Sequence, residues 1–194
     1  MKNVGIYLFD DVEVLDFAGP YEVFSVAFTS SDQGHDPLFE VLTISEQGEK
    51  VVARNGLQIV PDTSLDAAPA FDILIIPGGK GARVNEMNNE KLLAWISERQ
   101  HNVEVLASVC TGALILANAG VLDGRAATTH WGSYERLAAF QHLHVKKDVK
   151  FVDEGDIVTS GGISAGINMS FHLVERFAGK QAVAETAKWM AYDL

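Results

Sequence analysis

Short, continuously apolar runs alternate along this chain with stretches of helical spacing. Asn3–Phe9 is mostly apolar and closes on Asp10-Asp11, the pattern of a buried strand. Pro20 suits a first helical turn, because its φ is fixed and it has no N–H to satisfy. A helix is therefore expected from Pro20 through Glu22–Phe28. The polar stretch from Ser30 to Pro37 reads as a loop, and Phe39–Ile44 as the second strand. Val51–Arg54 and Leu57–Val60 form a small hairpin around Asn55-Gly56. Asp72-Ile73-Leu74-Ile75-Ile76-Pro77 runs into Gly78-Gly79, as a central parallel strand runs into its loop. Asn89–Gln100 has helical spacing at Leu92, Leu93, Trp95 and Ile96. Val103–Val109 is a further apolar strand that stops at Cys110, and Thr111–Ala119 is apolar on nearly all sides, so this helix is expected to be deeply buried. Tyr134–Phe140, Met169–Phe177 and Ala182–Tyr192 are predicted helices. Val149–Val152 and Ile157–Ser160 are predicted strands around the turn Asp153-Glu154-Gly155.

This alternation predicts a doubly wound α/β fold, with a mostly parallel sheet and helices on both faces. Ligands in such folds bind at the carboxyl ends of the strands. Three such ends stand out: Phe9 onward, Pro77-Gly78-Gly79 and Val109-Cys110. No internal repeat or linker interrupts the pattern, so one domain is expected over residues 1–194.

Composition narrows the function classes. Fifteen Lys and Arg against 26 Asp and Glu give a formal net charge of −11, with no basic stripe, which excludes a phosphate backbone as the expected partner. No stretch approaches the ~18 apolar residues of a membrane helix, and the N-terminal apolar run is too short for a signal peptide. A cytoplasmic location is expected, and the single cysteine fits a reducing compartment.

That cysteine is the first candidate for chemistry. A strand runs directly into Ala107-Ser108-Val109-Cys110-Thr111-Gly112-Ala113, and a helix follows. Ser108 and Gly112, two residues to either side, are small enough for the sharp turn of a nucleophile elbow. A helix N-terminus behind the sulfur favours thiolate. The competing reading is a buried, inert cysteine. Gly78 and Gly79 let backbone N–H groups approach a substrate and form an oxyanion-type hole, or else make a plain turn. Asp16, between apolar residues just before the expected helix, is either a partly buried acid suited to proton transfer or a residue satisfying N–H groups at the helix start. His130, in Thr129-His130-Trp131, is either a base for the cysteine or structural. Ser160-Gly161-Gly162-Ile163-Ser164-Ala165-Gly166 reads as a strand end, a glycine turn and a helix capped by Ser164. Neither glycine stretch matches a phosphate loop or a dinucleotide fingerprint. The scattered histidines and lone cysteine form no zinc-ligand cluster, so no metal site is expected.

At these residues the sequence resembles the ThiJ/PfpI superfamily, which shares the class I glutamine amidotransferase-like, flavodoxin-like fold. The resemblance rests on Leu15-Asp16-Phe17-Ala18-Gly19-Pro20-Tyr21, Pro77-Gly78-Gly79, Ser108-Val109-Cys110-Thr111-Gly112, Ala127-Thr128-Thr129-His130-Trp131 and Gly161-Gly162-Ile163-Ser164-Ala165-Gly166-Ile167. Within the superfamily it is most similar to the isonitrile hydratases. That resemblance implies a lyase with Cys110 as nucleophile, Thr111 beside it and Asp16 as the acid. Gly78, Gly79, His130, Gly162 and Ile163 would then lie at the substrate. Protease-like and deglycase-like relatives carry histidine directly after the cysteine, whereas this chain has Thr111. Relatives that regulate transcription append a helix-turn-helix module, and with none read up to Leu194 direct DNA binding is not expected. The resemblance further implies a homodimer acting on a small molecule without metal or organic cofactor. The rival readings are hydrolysis of another small electrophile, and a redox or ligand sensor in which Cys110 is oxidised beside Asp16.

Overall fold

The computed structural model describes residues 1–31 and 34–194. Seven strands build the main sheet: β1 (Lys2–Tyr7), β2 (Phe39–Ser45), β3 (Thr63–Ser64), β4 (Ile73–Ile76), β5 (Val105–Val109), β6 (Phe151–Asp153) and β7 (Ile157–Ser160). Their spatial order is β6-β7-β5-β4-β1-β2-β3. Every neighbouring pair is parallel except β6 and β7, which pair antiparallel. The chain leaves β1 toward β2, then returns to the other side of β1 at β4. The strand order therefore reverses between β1 and β4, which is where open α/β sheets of the flavodoxin-like order place their ligands.

Among the described residues six α-helices accompany the sheet: α1 (Val14–Ser25), α2 (Lys80–Val84), α3 (Glu90–Arg99), α4 (Gly112–Asn118), α5 (Tyr134–Ala138) and α6 (Ala165–Trp189). Right-handed crossovers that run in opposite directions from the switch point put their helices on opposite faces. Accordingly α1 packs with α6, and α4 packs on β4 and β5 among α2, α3 and α5. The strands β4 and β5 are buried along their whole length, as are Gly112–Ala117 of α4, so the apolar runs of the sequence are the centre of the core. The register sets Ile76 beside Ser108, and Val109 beside Ser160. Residues just beyond those positions thus emerge side by side at one edge of the sheet.

Some boundaries differ from the sequence reading. The first helix begins at Val14, not Pro20, and Pro20 lies inside it. The start is set by a tertiary contact, the Glu13 N–H donating to the Gly78 carbonyl at 2.9 Å. The expected loop from Ser30 to Pro37 falls largely in an antiparallel hairpin, Phe28–Ser31 with Gly34–Pro37, while residues 32 and 33 lie outside the described residues. Gly34–Pro37 is exposed throughout, so no apolar alternation marked it as a strand. The two late helices start at Ala165 and run to Trp189, broken only at Gly179, whose φ of 82° leaves the helical region. Ser164 stands at the N-cap of α6 but makes no side-chain capping bond. The hairpin at Asn55-Gly56 is present, with both residues at positive φ.

Candidate active site

Cys110 follows the last residue of β5 and precedes α4, with φ of 57°. This is the left-handed region, which a side chain enters at a cost, and persists only where the surroundings hold it. Here they do. The Cys110 N–H donates to the Ser160 carbonyl at 3.1 Å and to that of Gly161 at 3.3 Å. Its own carbonyl accepts from the buried Thr129 hydroxyl at 2.7 Å. Gly112 lets α4 pass the end of β4, since a Cβ there would collide with the Ile76 carbonyl oxygen. The sharp turn from strand to helix is therefore enforced by backbone contacts from three sides.

Asp16 lies in the first turn of α1, not before it, and is fully buried. Its Oδ2 accepts the Gly78 N–H at 3.1 Å, and Oδ1 has no hydrogen-bond partner among the described residues. The Cys110 thiol is the group beside this carboxyl. Burial raises the Asp16 pKa to about 7, against the opposing pull of the thiol and the Gly78 amide; the charge of Glu13 adds to the rise. Burial also pushes the Cys110 thiol well above its ordinary range, and the Asp16 charge pushes it further. The Thr111 amide and hydroxyl act the other way, stabilising the sulfur anion.

Gly79 N–H donates to Thr111 Oγ1 at 2.9 Å, and the same hydroxyl donates back to the Gly79 carbonyl at 3.2 Å. The N–H groups of Gly78 and Gly79, expected as oxyanion donors, are engaged by Asp16 Oδ2 and Thr111 Oγ1. They position the acid and the hydroxyl. Only glycine permits this at residue 78, where a Cβ would lie 2.5 Å from the Thr111 nitrogen and 2.9 Å from Asp16 Oδ2.

A pocket of about 260 Å³ opens over the sulfur, lined by Glu13, Arg54, Gly79, Arg83, Cys110, Thr111, His130 and Ile163. Gly162 forms the wall between Cys110 and His130; a Cβ there would sit 2.7 Å from Sγ and 2.8 Å from His130 Cδ2. Among the described residues no hydrogen bond joins His130 to Cys110. Its Nδ1 accepts the Gly132 N–H at 3.1 Å, which leaves the proton of the neutral ring on Nε2. Burial and the Arg83 charge lower its pKa, so the ring is neutral at pH 7. The group facing the sulfur as acid or base is Asp16, while His130 lines the wall. A larger groove of about 630 Å³ lies between α6 and the Phe28 hairpin, but it shares no residue with this site.

The pattern of the sequence led to Cys110, Asp16, Gly78, Gly79 and His130, and the resemblance added Thr111, Gly162 and Ile163. The fold brings all eight together. It adds three charged residues that sequence reasoning missed: Glu13, Arg54 and Arg83. Arg83 had a signal, standing four residues after Gly79 on the helix that follows it, so that its Nε reaches the Gly79 carbonyl at 3.4 Å. Arg54 arrives from the separate hairpin and pairs with Glu13 at 2.6 Å, a contact no local pattern announces.

The topology and the elbow define a flavodoxin-like α/β protein with a cysteine at the carboxyl edge of its sheet. A family model described as the DJ-1/PfpI family matches residues 2–176, and the chain belongs to that family. It is 34% identical to the isonitrile hydratase of Pseudomonas putida over 177 residues, covering 91% of this chain and 72% of the relative. It is 29% identical to the HTH-type transcriptional regulator GbdR of Pseudomonas aeruginosa, matching 99% of this chain but only 51% of the regulator. It thus spans about half the length of that relative. The crystal structure of Drosophila melanogaster DJ-1beta superposes with a TM-score of 0.86 at 24% identity, covering 100% of this chain and 99% of that one. A ThiJ/PfpI family protein from Pseudomonas syringae superposes at 0.88, also at 24% identity, covering 100% and 76%.

Proposed function

We propose that this protein is a cysteine-dependent hydratase of small isonitriles, converting R–N≡C and water to the formamide R–NH–CHO. The observation that carries the reading is the buried Asp16 carboxyl set against the Cys110 thiol, with Thr111 held beside both through Gly79. The 34% identity to an isonitrile hydratase supports it.

The reaction follows from these positions. The Asp16 carboxylate takes the thiol proton as sulfur attacks the terminal isonitrile carbon. The same proton is returned to that carbon, giving a thioimidate, R–N=CH–S–Cys110. Water then adds across the C=N bond, its oxygen to carbon and a proton to nitrogen. Collapse of this adduct expels sulfur, which recovers its proton from the adduct hydroxyl through Asp16, and releases the formamide. Thr111 Oγ1 can turn its proton from the Gly79 carbonyl to the sulfur, stabilising the thiolate at departure.

A peroxide sensor needs a standing thiolate. Burial and the Asp16 charge hold this thiol protonated, which favours base-assisted attack on a bound substrate. Acid quench of the protein during turnover of a simple alkyl isonitrile tests the route. The reading expects the mass of one isonitrile added at Cys110; formamide release with no such adduct under any quench would instead support direct attack by water. The resemblance also underlies a proposed homodimer, for which light scattering should give twice the 21.0 kDa of the chain.

A further inference from the structure

The mouth of the pocket over Cys110 carries two arginines and one glutamate. Arg54 is neutralised by Glu13 at 2.6 Å. Arg83 has no carboxylate within ion-pair distance among the described residues. Its Nε is tied to the Gly79 carbonyl at 3.4 Å, so the side chain is anchored at its inner nitrogen. Its two terminal nitrogens, the planar fork that receives a carboxylate in bidentate fashion, have no hydrogen-bond or ion-pair partner among the described residues. The anchor is the residue that holds Thr111, and Arg83 lines the same pocket as the reacting sulfur. Its charge is felt at His130 on the same wall. The half-buried guanidinium is thus a fixed, uncompensated cation in a chain of net charge −11. At physiological salt the distant negative charges are screened over ~8 Å, so the near cation sets the potential a small ligand meets.

We infer that Arg83 is an anion-binding, specificity-determining residue, and that the substrate is an electrophile bearing a carboxylate a few bonds from its reactive carbon. In terms of the isonitrile reading, on which this substrate assignment rests, the preferred substrate is an isocyano acid over a neutral alkyl isonitrile. Arg54 lines the same pocket but is paired with Glu13. Arg83 is the donor left for an incoming anion.

Two measurements separate this inference from the hydratase reading. The first is alkylation of Cys110 by iodoacetate and by iodoacetamide, reagents alike in size and different in charge, with the rate ratio referred to a small free thiol. The inference expects a ratio shifted toward iodoacetate by about tenfold, a shift lost in Arg83→Gln and partly kept in Arg83→Lys. A ratio equal to that of the free thiol, or unchanged in Arg83→Gln, overturns it. Circular dichroism of Arg83→Gln must match that of the parent, because an unfolded chain would itself give the free-thiol ratio; general reactivity cancels within each ratio. The second compares kcat/KM for isocyanoacetate and its methyl ester. Preference for the acid that collapses in Arg83→Gln supports the inference. Equal turnover of both refutes it while leaving the hydratase reading intact. Turnover of neither, with the anion preference in alkylation retained, keeps Arg83 as an anion site and removes the isonitrile from the account.

Discussion

Burying a carboxyl beside a thiol sets the protonation of both, and this pair governs the site. With the Asp16 pKa near 7, the base form needed to accept the thiol proton is the minority below that pH. The account predicts kcat/KM rising about tenfold per pH unit below 7 and levelling above it, measured as a pH–rate profile. Asp16→Asn should remove that limb and lower kcat/KM by roughly 10²–10⁴. Stability carries the opposite sign. The folded pKa is raised from 3.8, so folding favours the protonated acid. The stabilisation is fully present below about pH 4, is lost as pH rises toward 7, and stays lost above. Linkage puts this at about 4 kcal/mol. Urea titrations should therefore find Asp16→Asn more stable than the parent at pH 8, with the difference shrinking toward pH 4. Thr111→Val leaves the Gly79 N–H without its partner, and should cost about 1–3 kcal/mol in the same titration. Gly162→Ala would put a methyl 2.7 Å from Sγ and is expected to lower kcat/KM by about 10²-fold. At this scale the sequence made the elbow legible, because the apolar strand stops at a cysteine between small residues. The hydrogen-bond assignments of Gly78 and Gly79 were not legible, since they join Gly78 to Asp16, 62 residues away along the chain, and Gly79 to Thr111, 32 residues away.

At the level of elements, the site is the meeting of three strand ends with three helix starts. The β1–α1 connection brings Asp16, the β4–α2 connection brings the glycines and Arg83, and β5–α4 brings Cys110 and Thr111. Gly112→Ala tests how tightly these are locked. The added methyl collides with the Ile76 carbonyl, so β4 and α4 must separate. Thermal unfolding should show a loss of about 1–3 kcal/mol or more, with α4 and its cysteine displaced. The strands at this junction were readable because parallel strands buried on both faces are continuous apolar runs. The start of α1 was misplaced because Pro20 reads locally as a first-turn residue, while the bond from Glu13 to Gly78 begins the helix six residues earlier. The Phe28 hairpin went unread for a different reason: its exposed second strand has no buried face to pattern.

Over the whole molecule, the reversal of strand order between β1 and β4 determines where the crevice lies; the alternation of strands and helices pointed to the carboxyl ends of the strands but not to the strand order. The charges at the crevice mouth were beyond such reasoning, because Glu13, Arg54 and Arg83 come from three separate connections and meet only in the folded chain. The central claim joins fold, elbow and acid into one activity. Formamide production from a simple alkyl isonitrile, compared between the parent protein and Cys110→Ala, tests it most directly. The account predicts steady turnover by the parent and none above the uncatalysed rate in the variant. Equal turnover by the two, or none by the parent, would contradict it.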